Sequence, residues 1–257
     1  MDLLGSFAPE GVSPLIAATI VAASFFTSAL TASFGLGGGL ALLAIMSALL
    51  PPLAVIPVHG VAQLGSNMSR FMLQWRAVDW PIVLWFTLGA AIGAFAGGRL
   101  YVALPEALLK AGVGAFVLFA VWGPKPKGFA PGAKTFLFTG AASSFLTMFF
   151  GATGPIVASM LSVAKLEKLK TVATHAACMV TQHGLKTLAF GFLGFAFADW
   201  ALLILAIVAA GFFGAWSGTA LLKAMPEARF RQGFHAILTF FGVYLIAAAL
   251  WSAVRTD

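Results

Sequence analysis

The sequence predicts an all-α integral membrane protein built from two inverted five-segment repeats, with eight to ten transmembrane helices. Three observations carry this: an apolar composition, a set of landmarks that recurs in order, and basic residues gathered at alternate loops. Hydrophobic residues make up 61% of the 257 and charged residues 9%, against roughly a quarter charged in globular chains. Such a chain would precipitate in water. Several apolar runs, among them 14–34, 80–98 and 202–222, approach or exceed the roughly 18 residues that mark a bilayer-spanning helix.

The opening stretch MDLLGSFAPEGV carries Asp2 and Glu10 and no Lys or Arg. It lacks the basic flank of a cleavable signal peptide, so the first helix is expected to be retained. The single Cys178 excludes an internal disulfide. The net charge of +7 would suggest nucleic acid in a soluble protein, but the bases cluster between apolar runs. There they set orientation and meet anionic head groups of the lipid bilayer, which argues against nucleic acid as a partner.

The landmarks recur at an offset that starts at His59 against His175. Gly35-Leu36-Gly37-Gly38-Gly39 aligns with Gly151-Ala152-Thr153-Gly154-Pro155 at the same spacing. Further along, Asp79-Trp80 aligns with Asp199-Trp200, Gly93 and Gly97 with Gly214 and Gly218, and Leu104-Pro105-Glu106 with Met225-Pro226-Glu227. Order and spacing are both preserved, so the chain divides into a first transmembrane repeat at 1–123 and a second at 133–257. The Pro-, Gly- and Lys-rich stretch 124–132 is the linker, expected on the cytoplasmic side.

Each repeat reads as five apolar segments, near 12–34, 37–50, 53–75, 80–103 and 106–122, then 134–150, 154–164, 168–194, 199–223 and 230–252. The second segment of each is short, and a glycine cluster separates it from the first. That is the pattern of a broken or re-entrant helix. Treated as a re-entrant hairpin, segments one and two leave an odd number of crossings per half, which inverts the repeats; treated as one broken span, they would make the halves parallel. Under the inverted reading one face collects Arg76, Lys125, Lys127, Lys134, Lys165, Lys168, Lys170, Lys223, Arg229 and Arg231. The other face holds Asp2, Glu10, Glu106 and Asp199 with few bases. The positive-inside rule then places the basic face in the cytoplasm and both termini outside a multi-pass chain in the cell inner membrane.

Polar chemistry concentrates in the third segment of each half. At about 100° per residue, Thr171, His175, Cys178, Gln182 and Lys186 fall in one sector of roughly 80°. In the first half His59, Gln63, Ser66, Asn67, Arg70 and Gln74 make a broader stripe, with Arg70 aligned to Lys186. A base at membrane depth is costly, so it marks a cavity, a partner or a substrate path, unless it snorkels from near the helix end. Glycine breaks supply the complement: freed backbone N–H groups at a half-helix start bond an anion. Gly37, Gly38, Gly39, Gly151 and Gly154, with Thr153 beside them, are the candidates, whereas Gly93, Gly97, Gly214 and Gly218 fit close helix packing at small-xxx-small spacing. No Asp or Glu lies mid-run, so a sodium or proton site on a buried carboxylate is unsupported. Imidazole titrates near pH 6.5 in its reference state, which leaves His59, His175 and His183 as proton-coupling candidates and His235 as an interfacial residue.

The segment Ser33 to Gly39 with Pro51 to His59, and its second-half counterpart Phe150 to Pro155, resemble the signatures of the sulfite exporter TauE/SafE family of membrane proteins, and the resemblance spans essentially the whole chain. It implies transport of a small sulfur-containing anion such as sulfite or an organosulfonate, commonly as export, with no cofactor. Two other classes carry less support. An anion channel would share the polar stripes, and a membrane-embedded metal protein or enzyme could use four histidines and one cysteine. Those histidines lack H-x-x-x-H or E-x-x-H spacing and have no catalytic carboxylate among them, so neither a metal site nor an enzyme is expected.

Overall fold

A computed structural model describes residues 8–34, 37–100, 105–124, 131–164, 166–221 and 227–255. Among them the chain forms ten α-helices. The first five are α1 (Pro14–Phe34), α2 (Gly38–Leu49), α3 (Pro52–Gln74), α4 (Trp80–Leu100) and α5 (Glu106–Trp122). The second five are α6 (Ala133–Phe150), α7 (Gly154–Val163), α8 (Lys168–Phe192), α9 (Ala201–Leu221) and α10 (Glu227–Arg255). Short 3₁₀ turns at Trp75–Ala77 and Phe197–Trp200 lead into α4 and α9. Most of the linker, residues 125–130, lies outside the described residues, as do the landmarks Gly35, Leu36, Leu104, Met225 and Pro226 and the His235 side chain.

Starts and breaks follow from the sequence. Proline sits in the first turn of α3 and of α7, where its missing N–H has no carbonyl to bond in any case. Gly37, at φ 100°, precedes α2, and Gly151, at φ 79°, ends α6. Both are left-handed positions that favour glycine.

The stretches Pro14–Ala32, Trp80–Leu100 and Phe197–Ser217 are long and apolar enough to cross a membrane. At roughly 1.5 Å per residue, the 21 residues of α4 match a hydrocarbon core about 30 Å thick. Large apolar side chains cover the outside, and polar ones are buried beside an apolar core. Phe192, Trp216, Leu73 and Leu15 stand outside, while Ser143, Thr147, Gln182 and Lys186 are wholly buried. A surface of this kind is stable only where the surrounding solvent is itself apolar.

Packing is crosswise. α4 lies along α6, α1 along α9, α5 along α10 and α3 along α8. Little apolar surface is hidden from water when two helices meet in lipid, so close backbone approach and interhelical hydrogen bonds hold them together. A side chain at Gly89 or Gly93 would collide with the Leu137 or Ala141 carbonyl of α6, and one at Gly214 with the Phe25 carbonyl of α1. Gly97 lies against the Met148 side chain, so Gly93, Gly97 and Gly214 of the small-xxx-small set sit at helix contacts as expected; what a side chain at Gly218 would meet lies outside the described residues. Ser24 of α1 adds a hydrogen bond of 2.8 Å to the Ile207 carbonyl of α9.

Candidate functional site

α2 and α7 are the short helices that follow the glycine breaks, and each meets a histidine from the next long helix. His59 Nε2 donates to the Gly39 carbonyl at 2.9 Å, and His175 Nε2 donates to the Gly154 carbonyl at 3.2 Å. The aligned histidines therefore perform the same act in both halves: each pins the first turn of a half-helix to a long one. A carbonyl only accepts, so in both rings Nε2 carries the proton.

Between these two contacts lies a cavity of about 40 Å³, lined from the first half by Thr31, Gly37, Gly39, Leu40, His59, Gln63, Asn67 and Arg70. Ala152, Gly154, Pro155, His175, Met179 and His183 line it from the second. Roughly 10–15 Å³ suffices for one water, so the space takes a few waters or one small oxyanion. Among the described residues lining it, Arg70 is the one with a fixed charge. Its guanidinium donates to Asn67 Oδ1, while Asn67 Nδ2 donates to the Gln63 carbonyl at 2.7 Å. The amides of Gly38, Gly39 and Leu40 belong to the first turn of α2, where a helix has no carbonyl of its own to offer them.

The remaining sequence candidates stand beside the cavity and not on its wall. Lys186, fully buried, donates from Nζ to the Gly151 carbonyl at 2.8 Å, which also accepts from the Thr147 hydroxyl at 2.9 Å. Gln182 donates to Thr153 Oγ1 at 2.8 Å and accepts from Ser143 Oγ at 3.0 Å. Thr153 in turn donates to the Ser143 carbonyl at 3.0 Å. This closed network fixes the turn between α6 and α7 and leaves the Thr153 hydroxyl proton already committed. Gly38 sits against Thr27 and Thr31 of α1, and Ser66 meets the Ser28 hydroxyl at 3.5 Å. Thr171 bonds the Leu166 and Glu167 carbonyls at the start of α8, and Cys178 packs in an apolar cluster with Val157 and Leu161.

Sequence reasoning passed over Thr31, Leu40, Ala152, Pro155 and Met179 on the wall, and Ser143 and Thr147 behind it. A signal for the hydroxyls was present: Thr27-Ser28-x-x-Thr31 and Ser143-Ser144-x-x-Thr147 stand at the same offset as the two histidines.

An apolar exterior, ten helices among the described residues and a polar cavity walled from both halves of the chain define a multi-pass helical membrane protein. Residues 20–245 match the family model of the Sulfite exporter TauE/SafE family. The chain belongs to that family, which is one of transporters and not of enzymes. No curated protein matches the chain.

Proposed function

We propose that the protein exports a small sulfur-containing anion, sulfite or an organosulfonate, across the cell inner membrane by alternating access. The observation that carries this reading is the cavity itself: both halves wall it, and it joins one guanidinium, three imidazoles and the first turn of a broken helix. In this reading the halves are inverted repeats, and the crosswise packing of α1 on α9 and α4 on α6 supports it. Arg70, the first-turn amides of α2 and the Gly154 amide of α7 hold the anion, with Gln63 and Asn67 beside them. His59, His175 and His183 carry the coupling proton. Gly151, Thr153, Gln182 and Lys186 act from behind by fixing the break that shapes the wall.

The test is uptake into liposomes of sulfite, sulfoacetate, taurine and sulfate, with and without a pH gradient, for the wild type and for Arg70→Gln and His175→Ala. Saturable flux that responds to the gradient is expected for sulfite or a sulfonate. Unsaturable downhill flux would instead mark a channel, and no flux of any of the four would end the reading.

A further inference from the structure

α3 and α8, the long helices that carry the paired histidines, run antiparallel: Gly60 lies against Lys186, Leu64 against Gly184, and the joint between α3 and α4 reaches Thr174 near the start of α8. In that joint Asp79 makes three contacts. Its backbone N–H donates to Thr174 Oγ1 at 2.9 Å, its Oδ2 meets Lys170 Nζ at 2.8 Å, and its Oδ1 accepts from the Ile82 amide at 3.4 Å. The first two cross from the first half of the chain to the second, and the third holds the same carboxylate to the first turn of α4.

Lys170, Thr174 and Cys178 recur every fourth residue and so share one face of α8. Cys178 is packed in an apolar cluster with Val78 and Val83 from the first half and Val157 and Leu161 of α7. That cluster connects the ion pair to the cavity, since Val78 adjoins Asp79 and Met179 belongs to both the cluster and the cavity wall. The aligned joint between α8 and α9 is built otherwise. Asp199 corresponds to Asp79, but the residues at the positions of Lys170 and Thr174, counted by the offset of the two histidines, are Ala54 and Val58. Asp199 is exposed and forms no ion pair among the described residues. Phe195, Phe197 and Trp200 instead pack against the apolar cluster that contains Ala54 and Val58. One joint is held by charge and the other by apolar contact.

We infer that the Asp79–Lys170 pair is a latch between the halves, closing the cavity toward the face that carries Arg76 and Lys170 and biasing the resting protein to the state closed on that side. This rests on the alternating-access reading above and adds which face is shut at rest. With Lys170 45% exposed and Asp79 16%, the pair is partly screened by solvent, and such a pair shifts an equilibrium by up to about fivefold. An apparent affinity follows the population of the state that binds. Breaking the latch should therefore strengthen binding from its own face and weaken it from the opposite one.

The native Cys178 reports on the joint, because parting Val78 and Val83 from α8 uncovers it. In the purified full-length protein its rate of reaction with a small thiol reagent is expected to rise about two- to fivefold in Asp79→Asn and in Lys170→Met. Lys170→Arg, which keeps the pair, and Asp199→Asn should react at the wild-type rate. Sulfite flux in liposomes with the protein oriented gives the apparent affinity from each face. In Lys170→Met the two affinities should move in opposite directions by about two- to fivefold. Affinities that fall together, or that do not move, would mark a purely structural tie and overturn the inference, as would an unchanged Cys178 rate in both variants. No sulfite flux in the wild type would instead defeat the transport reading, and the Cys178 rates would then judge the latch by themselves.

Discussion

Lys186 of α8 and Gly151 at the end of α6 are joined by a hydrogen bond of 2.8 Å from ammonium to carbonyl, wholly inside the protein. Gly60 of α3 makes the bond possible, because a side chain there would press on the Lys186 stem at Cε. One lysine thus ties the glycine break of the second half to a long helix of each half.

Removing that tie should lower stability by an amount that depends on what replaces it. Lys186→Ala deletes both the bond and a fully buried stem, and a loss of about 2–4 kcal/mol is expected. Lys186→Met keeps most of the stem and leaves the Gly151 carbonyl its bond from Thr147, so it should cost less. Thermal unfolding in detergent ranks the two. A methionine variant as unstable as the alanine variant would show that the charge, not the packing, dominates.

Arg70 has a different position although it aligns with Lys186, since it stands on the cavity wall. A hydrogen bond to a charged group contributes about 1.5–3 kcal/mol, so Arg70→Gln should weaken anion binding roughly tenfold to hundredfold. Arg70→Lys should retain part of the affinity. Titration of the folded variants with sulfite measures this, and wild-type affinity in Arg70→Gln would place the neutralising charge elsewhere.

The crosswise helix pairs predict opposite signs for two neighbouring glycines. Gly93→Ala forces a methyl into the Ala141 carbonyl, whereas the nearest atom to a Cβ at Gly98 is the Ala189 methyl at 3.9 Å. Gly93→Ala should therefore cost about 1–3 kcal/mol. Gly98→Ala, in a helix with room for the methyl, should gain up to about 1 kcal/mol. Melting temperatures of the two single variants decide the matter, and equal shifts would contradict the close approach of α4 and α6.

Topology is open to a labelling experiment. The native Cys178 is fully buried, which keeps background low. A cysteine at Pro131 should not react with an impermeant thiol reagent applied to intact cells, because the linker is proposed to face the cytoplasm. Efficient labelling from outside would sink the inverted arrangement proposed here.

Much of the architecture was legible before any coordinates. The apolar runs located the helices, and the expected 134–150 and 154–164 segments became Ala133–Phe150 and Gly154–Val163 with little change, since glycine and proline punctuate them. The paired histidines were legible because each follows a glycine break at the same offset in the sequence. The separate fates of Arg70 and Lys186 were not. Alignment puts them on the same face of equivalent helices, but what a long side chain meets depends on where a carbonyl points. The left-handed turn at Gly151 directs its carbonyl into reach of Lys186, which no periodicity reports. A helical wheel likewise gathers Thr171, Cys178 and Lys186 on one stripe without saying that the stripe runs from a helix start, through an apolar cluster, to the break.

Crosswise packing also bears on how the chain is made. α1 leaves the ribosome long before α9, and α4 a helix and a linker before α6, the helices they pack against. The nascent first half must therefore wait in the bilayer with its Gly89 and Gly93 grooves filled by lipid or by an insertion partner. Expressed alone it should be degraded, and supplied with the second half as a separate polypeptide it should be rescued, since assembly is completed between halves and not within them.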